Sequence, residues 1–116
     1  MTTDIPVPST RDLTDAFGVA PVLLDEGEAT YLLEVTSGDA ELRFSYDVVE
    51  RSVRATISRG AANLVDLFYE GLDGISLITE NSVTGLSVWL TGPDHTTRLT
   101  VTVFPTMHIH SQVLTA

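Results

Sequence analysis

From residue 29 onward, hydrophobic and polar positions alternate one for one. Tyr31, Leu33 and Val35 alternate with Leu32, Glu34 and Thr36, and Leu42, Phe44, Tyr46 and Val48 alternate with Arg43, Ser45 and Asp47. A period of two sends successive side chains to opposite faces, so each run predicts a strand with one buried face. Ser37-Gly38-Asp39 supplies turn residues between the two runs. Val53, Ala55 and Ile57 continue the scheme against Arg54, Thr56 and Ser58, after the short link Val49-Glu50-Arg51. Sequential antiparallel pairing is the simplest arrangement of three such strands.

The segment Asn63 to Glu70 fits two patterns. Leu64, Leu67 and Phe68 suit a helix, whereas Val65, Leu67 and Tyr69 suit a strand; eight residues between glycines is short for a helix, which favours the strand. Gly71 to Gly74 then read as a turn leading into Ile75 to Thr79. Leu86, Val88 and Leu90 alternate with Ser87 and Trp89, Gly92-Pro93-Asp94-His95 turns the chain, and Leu99, Val101 and Val103 alternate with Arg98, Thr100 and Thr102. Met107, Ile109 and Val113 make a last strand after Pro105. The expected core is Leu42, Phe44, Val53, Ile57, Leu86, Val88, Leu99, Val101 and Ile109. With turns every eight to twelve residues and no crossover helices, the fold class is all-β, mainly antiparallel. The architecture is a single-domain β-sandwich or flattened barrel of seven to eight short strands.

Ahead of the alternating region, residues 1–28 form an arm on the β domain of 29–116, the two making one folding unit. Within the arm, Ser9 to Gly18 predicts a short helix. Ser9 or Thr10 can cap the free amides of its first turn, Asp12 suits its positive end, and Gly18 can take the left-handed stop. Leu13, Ala16 and Phe17, at i, i+3 and i+4, form its buried edge.

Charge narrows the choice of function more than any motif. Sixteen acids against six bases give a net charge of −10, and every base is an arginine. Phosphate binding depends on Lys and Arg, so a nucleic-acid role is discounted. The imbalance is concentrated: residues 1–50 hold eleven acids and two arginines, and the remainder five acids and four arginines. The absence of cysteine removes disulfides, thiolate nucleophiles and Cys-type zinc sites. No apolar run approaches the length of a membrane span, and Met1 to Asp15 lacks the form of a secretory signal, so a cytoplasmic location without membrane contact is expected.

Candidate chemistry is sparse. His108 and His110, one residue apart, share the face opposite Met107 and Ile109, where two imidazoles could meet one divalent metal. The pair is similar to the His-x-His of the first cupin motif, but the glutamate and third histidine that follow it there are missing. His95 sits in a turn at the far end of the preceding strand. Two ligands do not make a site, and no metal or cofactor is expected. Asp25-Glu26-Gly27-Glu28 lacks calcium-loop spacing, and Glu70 and Asp73 are ordinary turn carboxylates. No nucleophile elbow, zinc-protease helix or phosphate-binding glycine loop occurs, so no catalytic residue is assigned and the chain is read as a non-enzyme. Arg43 and Arg54, on the polar faces of adjacent strands, are placed for cross-strand ion pairs. Trp89 stands out by occupying a polar register.

Non-catalytic protein interaction is therefore the leading function, with the acidic N-terminal half docking on a basic partner. In size, acidity and lack of catalytic motif the chain resembles the bacterial immunity proteins that neutralise basic nuclease toxins. The expected partner contacts are Asp25, Glu26, Glu28, Glu34, Asp39, Glu41 and Trp89. Two alternatives remain: a small-ligand or metal-binding barrel using His108 and His110, and a homo-oligomer subunit joined through edge strands.

Overall fold

The computed structural model describes residues 5–24 and 30–115, and in it the alternating runs form two antiparallel sheets packed face to face. The first sheet has the order β1-β2-β3-β4-β5, made by Val22–Leu23, Thr30–Ser37, Ala40–Asp47, Ser52–Arg59 and Ala62–Glu70. The second has the order β6-β7-β8-β9, made by Leu72–Glu80, Val83–Thr91, His95–Phe104 and His108–Thr115. Strands follow one another in space as they do in sequence, which makes two meanders in series. Of the two architectures expected, the sandwich is the one formed. One strand more than expected is present, because β1 is only two residues long and carries no readable alternation.

Leu33, Val35, Leu42, Phe44, Val53 and Ile57 from one sheet meet Leu86, Val88, Leu99, Val101 and Val103 from the other in a single core. Each of these is at most 3 % exposed, which matches the inward register read from the sequence. Ile109 departs from it: its strand lies at the sheet margin, and the residue is only partly buried. The ambiguous segment is a strand. Val65, Leu67 and Tyr69 stand opposite Ile57, Ala55 and Val53 and turn inward with them, while a register shift after Ile57 leaves Leu64 without a partner.

Helix α1, Thr10–Phe17, has the expected caps. The Asp12 amide donates to Ser9 Oγ at 3.1 Å, and Gly18, at φ 77°, donates its own amide to Thr14 O. Leu13 and Phe17 are buried in the sandwich core, with Ala16 packed against it. The residues before the helix protect β6. Pro6 offers its carbonyl to the amide of Ile75 at 2.8 Å, a contact that proline can make because it only needs to accept.

Gly71 to Gly74 do not form the expected turn. Gly71 alone separates β5 from β6, and the chain passes from one sheet to the other at this corner. Gly71 has φ 89°, and a Cβ there would lie 2.4 Å from the carbonyl oxygen of Thr91. Its amide and that of Leu72 both donate to Arg51 O, and its carbonyl accepts from Thr91 N. One glycine thus ties the β3–β4 turn, the sheet corner and the end of β7 together, which no residue with a side chain could do unstrained.

Candidate functional site

The outer face of the five-stranded sheet is hollowed. A groove of about 530 Å³ runs across β2 to β5 and is lined by Leu24, Leu32, Glu41, Arg43, Arg54, Asp66 and neighbouring small polar residues. A second hollow of about 210 Å³ adjoins it and reaches Asp47 and Phe68. Alternation positions these side chains: the register that turns Leu42, Phe44, Val53 and Ile57 inward turns Glu41, Arg43, Arg54 and Thr56 outward.

Both arginines of this face are held by carboxylates across the strands, as expected for Arg43 and Arg54. Arg43 Nε lies 3.1 Å from Glu34. Arg54 grips Asp66 through two parallel bonds, Nε to Oδ1 at 3.0 Å and Nη2 to Oδ2 at 2.8 Å. The hydrogen bond from Arg54 holds the Asp66 carboxyl below the usual range, and the same bond holds the guanidinium above its own ordinary value. Both pairs are well exposed, so they set geometry and polarity more than stability. At the end of the face, Asp47 is buried and fully engaged. It accepts from Thr30 Oγ1 at 2.6 Å and from the amides of Val49 and Glu50 at 2.9 and 2.8 Å. The Thr30 bond first, then the Glu50 amide, hold its carboxyl below the ordinary value against the opposing effect of burial. Asp47 therefore shapes the β3–β4 turn, whose Arg51 carbonyl anchors Gly71.

The outer face of the four-stranded sheet is different. Ser76, Ser87, Thr100 and Gln112 occupy it, and the guanidinium of Arg98 lies 5.2 Å from the Trp89 ring centre while its Nε donates to Ser87. Trp89 is 36 % exposed, part of its ring covered by this cation. His108 and His110 are exposed on this face opposite Thr102 and Thr100, whereas His95 stands opposite Thr115 at the other end of the hairpin. The register thus separates the third imidazole from the pair. Among the described residues, no three His, Asp or Glu side chains gather where a metal would need them. Both hollows lie on the other sheet, and the described strands form two open sheets instead of the barrel whose mouth the histidines would have flanked.

The expected partner contacts are spread apart. Asp25, Glu26 and Glu28 lie outside the described residues. Glu34 is paired with Arg43, and Asp39, in the β2–β3 turn, lies 3.1 Å from Arg59. Glu41 lines the groove and is exposed, with no ion-pair partner among the described residues. Trp89 is on the opposite outer face, so one flat contact cannot take in Trp89 together with Glu34 and Glu41. Glu70 and Asp73 are likewise parted at the sheet corner, where Asp73 lies 3.9 Å from Arg51. Leu32 and Phe68 were not singled out from the sequence, although both carry the signal that marked Trp89, a large apolar side chain in an outward register. Phe68 is 60 % exposed.

No protein-family model and no curated protein matches the chain. Among solved structures, it is similar to a chain of the contact-dependent growth inhibition toxin–immunity protein complex from Klebsiella pneumoniae 342. The likeness has a TM-score of 0.85 and covers 97 % of this chain and 100 % of that one, at 16 % identity. At that identity, the likeness is one of fold. Among the described residues, no helix is long and apolar enough to cross a membrane.

Proposed function

We propose that this protein is an immunity-type partner: a non-catalytic domain that binds and neutralises a basic toxic protein. The observation that carries this reading is the match, along 97 % of this chain and all of the other, with a component of a toxin–immunity complex. Charge selects the immunity side of such a pair. A net charge of −10 without a single lysine suits a domain that must attract a cationic protein, and a field of that sign speeds encounter and rejects acidic partners.

The test is affinity capture from native lysate at low and at moderate salt. A basic protein should be retained at one-to-one stoichiometry and released as salt rises. Expressed alone, that protein should arrest growth, and co-expression of this chain should restore it. A retained partner that is harmless when expressed alone would overturn the proposal, and so would the absence of any stoichiometric partner.

A further inference from the structure

We propose that the partner docks in the hollowed outer face of the five-stranded sheet, setting a Lys or Arg side chain against Glu41 and apolar side chains against Leu24, Leu32 and Phe68. This deepens the reading of the chain as a binder of a basic protein and rests on it. Three independent features of the face lead to it.

Shape is the first: the two adjoining hollows, of about 530 and 210 Å³, both open on this side. They fit a protruding loop or strand better than a flat surface. The second is the placing of apolar groups. Leu24 is 52 % exposed and lines the groove with Leu32 beside β1, and Phe68, 60 % exposed, stands across the sheet on β5. Each is an unremarkable surface residue alone, but Leu24 and Leu32 in the larger hollow and Phe68 in the one that adjoins it at Ser45 and Arg54 form, with the polar groups between them, the mixed surface from which protein interfaces are built.

Charge is the third, and it identifies the occupant. Among the described residues of this face, Glu34, Glu41, Asp66 and Glu70 are exposed against Arg43 and Arg54 alone. Each arginine already holds one carboxylate. Glu41 is flanked across the strands by Thr36 and Ser58, which are neutral. Covering such a carboxylate with an apolar or acidic surface would strip its water without return, so the group that covers it has to bring hydrogen-bond donors, as Thr30 and two amides do for Asp47, or a cation, which also answers the excess of acid on this face. A second copy of this chain would bring the same acid-rich face or the nearly neutral opposite one, and neither supplies cations in number. A basic partner does.

The experiment measures the dissociation constant, by titration calorimetry at moderate salt, between the intact chain and the growth-arresting protein recovered by the capture described above. Glu41→Gln, Glu41→Arg and Phe68→Asp should each weaken binding by about tenfold or more, and Glu41→Arg should also slow association and flatten its dependence on salt. His110→Asp and Gln112→Arg, exposed on the opposite sheet, should leave the constant within about twofold. Thermal midpoints of all five variants establish that the fold is intact, and the three groove variants keep the test open should one of them misfold. If the groove variants bind like the parent, the docking surface is wrong while the immunity reading stands. The same conclusion follows if sedimentation shows a dimer that Phe68→Asp dissolves, since a second copy would then own the face. If no growth-arresting partner is recovered, the functional reading fails and the docking surface with it.

Discussion

Leu42, Phe44, Val53 and Ile57 in the first sheet and Leu86, Val88, Leu99 and Val101 in the second are buried alike, yet the outward positions of the same strands have little in common. On the five-stranded sheet they are acidic and arginine-paired, with apolar margins around a groove. On the four-stranded sheet they are mainly serine, threonine and glutamine, with one tryptophan under an arginine. The inward register has to satisfy a close-packed interior, so it converges on the same branched and aromatic residues in both sheets. The outward register is free of that demand, and the difference between the two faces is what the proposed docking surface rests on.

If the inner faces are equivalent, disturbing either should cost about the same, and disturbing the corner that joins them should cost most. Gly71→Ala forces a Cβ onto the Thr91 carbonyl at a positive φ. It should lower the unfolding free energy by about 4 kcal/mol or more, measured by urea denaturation. A loss below about 1 kcal/mol would mean that the corner relaxes easily. Leu42→Ala and Leu99→Ala, one in each sheet and both fully buried, should each cost about 2–5 kcal/mol. A tolerated change in one sheet alone would show that the two inner faces are not equivalent.

Two titrating groups sharpen the comparison, because both belong to the five-stranded sheet. Burial, aided by Tyr31 stacked at 5.5 Å between ring centres, pushes the Tyr46 hydroxyl from 10.0 to about 12. The folded state holds this proton more tightly, so the stabilisation is complete below the unfolded value. It is lost progressively as pH rises from about 10 to about 12. Tyr46→Phe should remove that decline, and an equal decline in the variant would contradict the assignment. Asp47→Ala leaves the Thr30 hydroxyl and two turn amides without their acceptor and should cost about 2 kcal/mol at neutral pH. The Asp47 carboxyl is lowered, so its advantage is present above its unfolded value and fades as pH falls through the folded one. The parent and the variant should therefore converge in acid. Smallest of all, Glu41→Gln and Gln112→Arg should change stability by no more than about 0.5 kcal/mol while differing in their effect on binding.

How much of this was legible in the sequence follows from the same division. The inward register could be read almost residue by residue, because a period of two and a buried face leave few choices; in the ambiguous segment the short span between glycines favoured the strand that formed. Ser9 and Gly18 announced the helix caps. The corner at Gly71 was hidden, since a glycine that turns a chain and one that admits a carbonyl look identical in sequence. The groove was hidden for another reason. It depends on which outward residues of four strands become neighbours, and Arg54 found its carboxylate at Asp66, on a strand whose register is shifted by Leu64. Counting acids over the first fifty residues left out Asp66 and Glu70, which share the outer face with Glu34 and Glu41. It could not distinguish Glu34 and Asp39, which face arginines, from Glu41, which does not.

The most direct test of docking on the five-stranded sheet is a two-dimensional NMR titration of the labelled chain with the growth-arresting partner. The single tryptophan makes the Trp89 indole a resolved reporter for the opposite face. Saturating partner should shift or broaden the signals of Leu32, Glu41, the Arg54 side chain and Phe68, while the Trp89 indole, His110 and Gln112 stay in place. Movement of the Trp89 indole and its neighbours, with Glu41 and Phe68 unmoved, would contradict it.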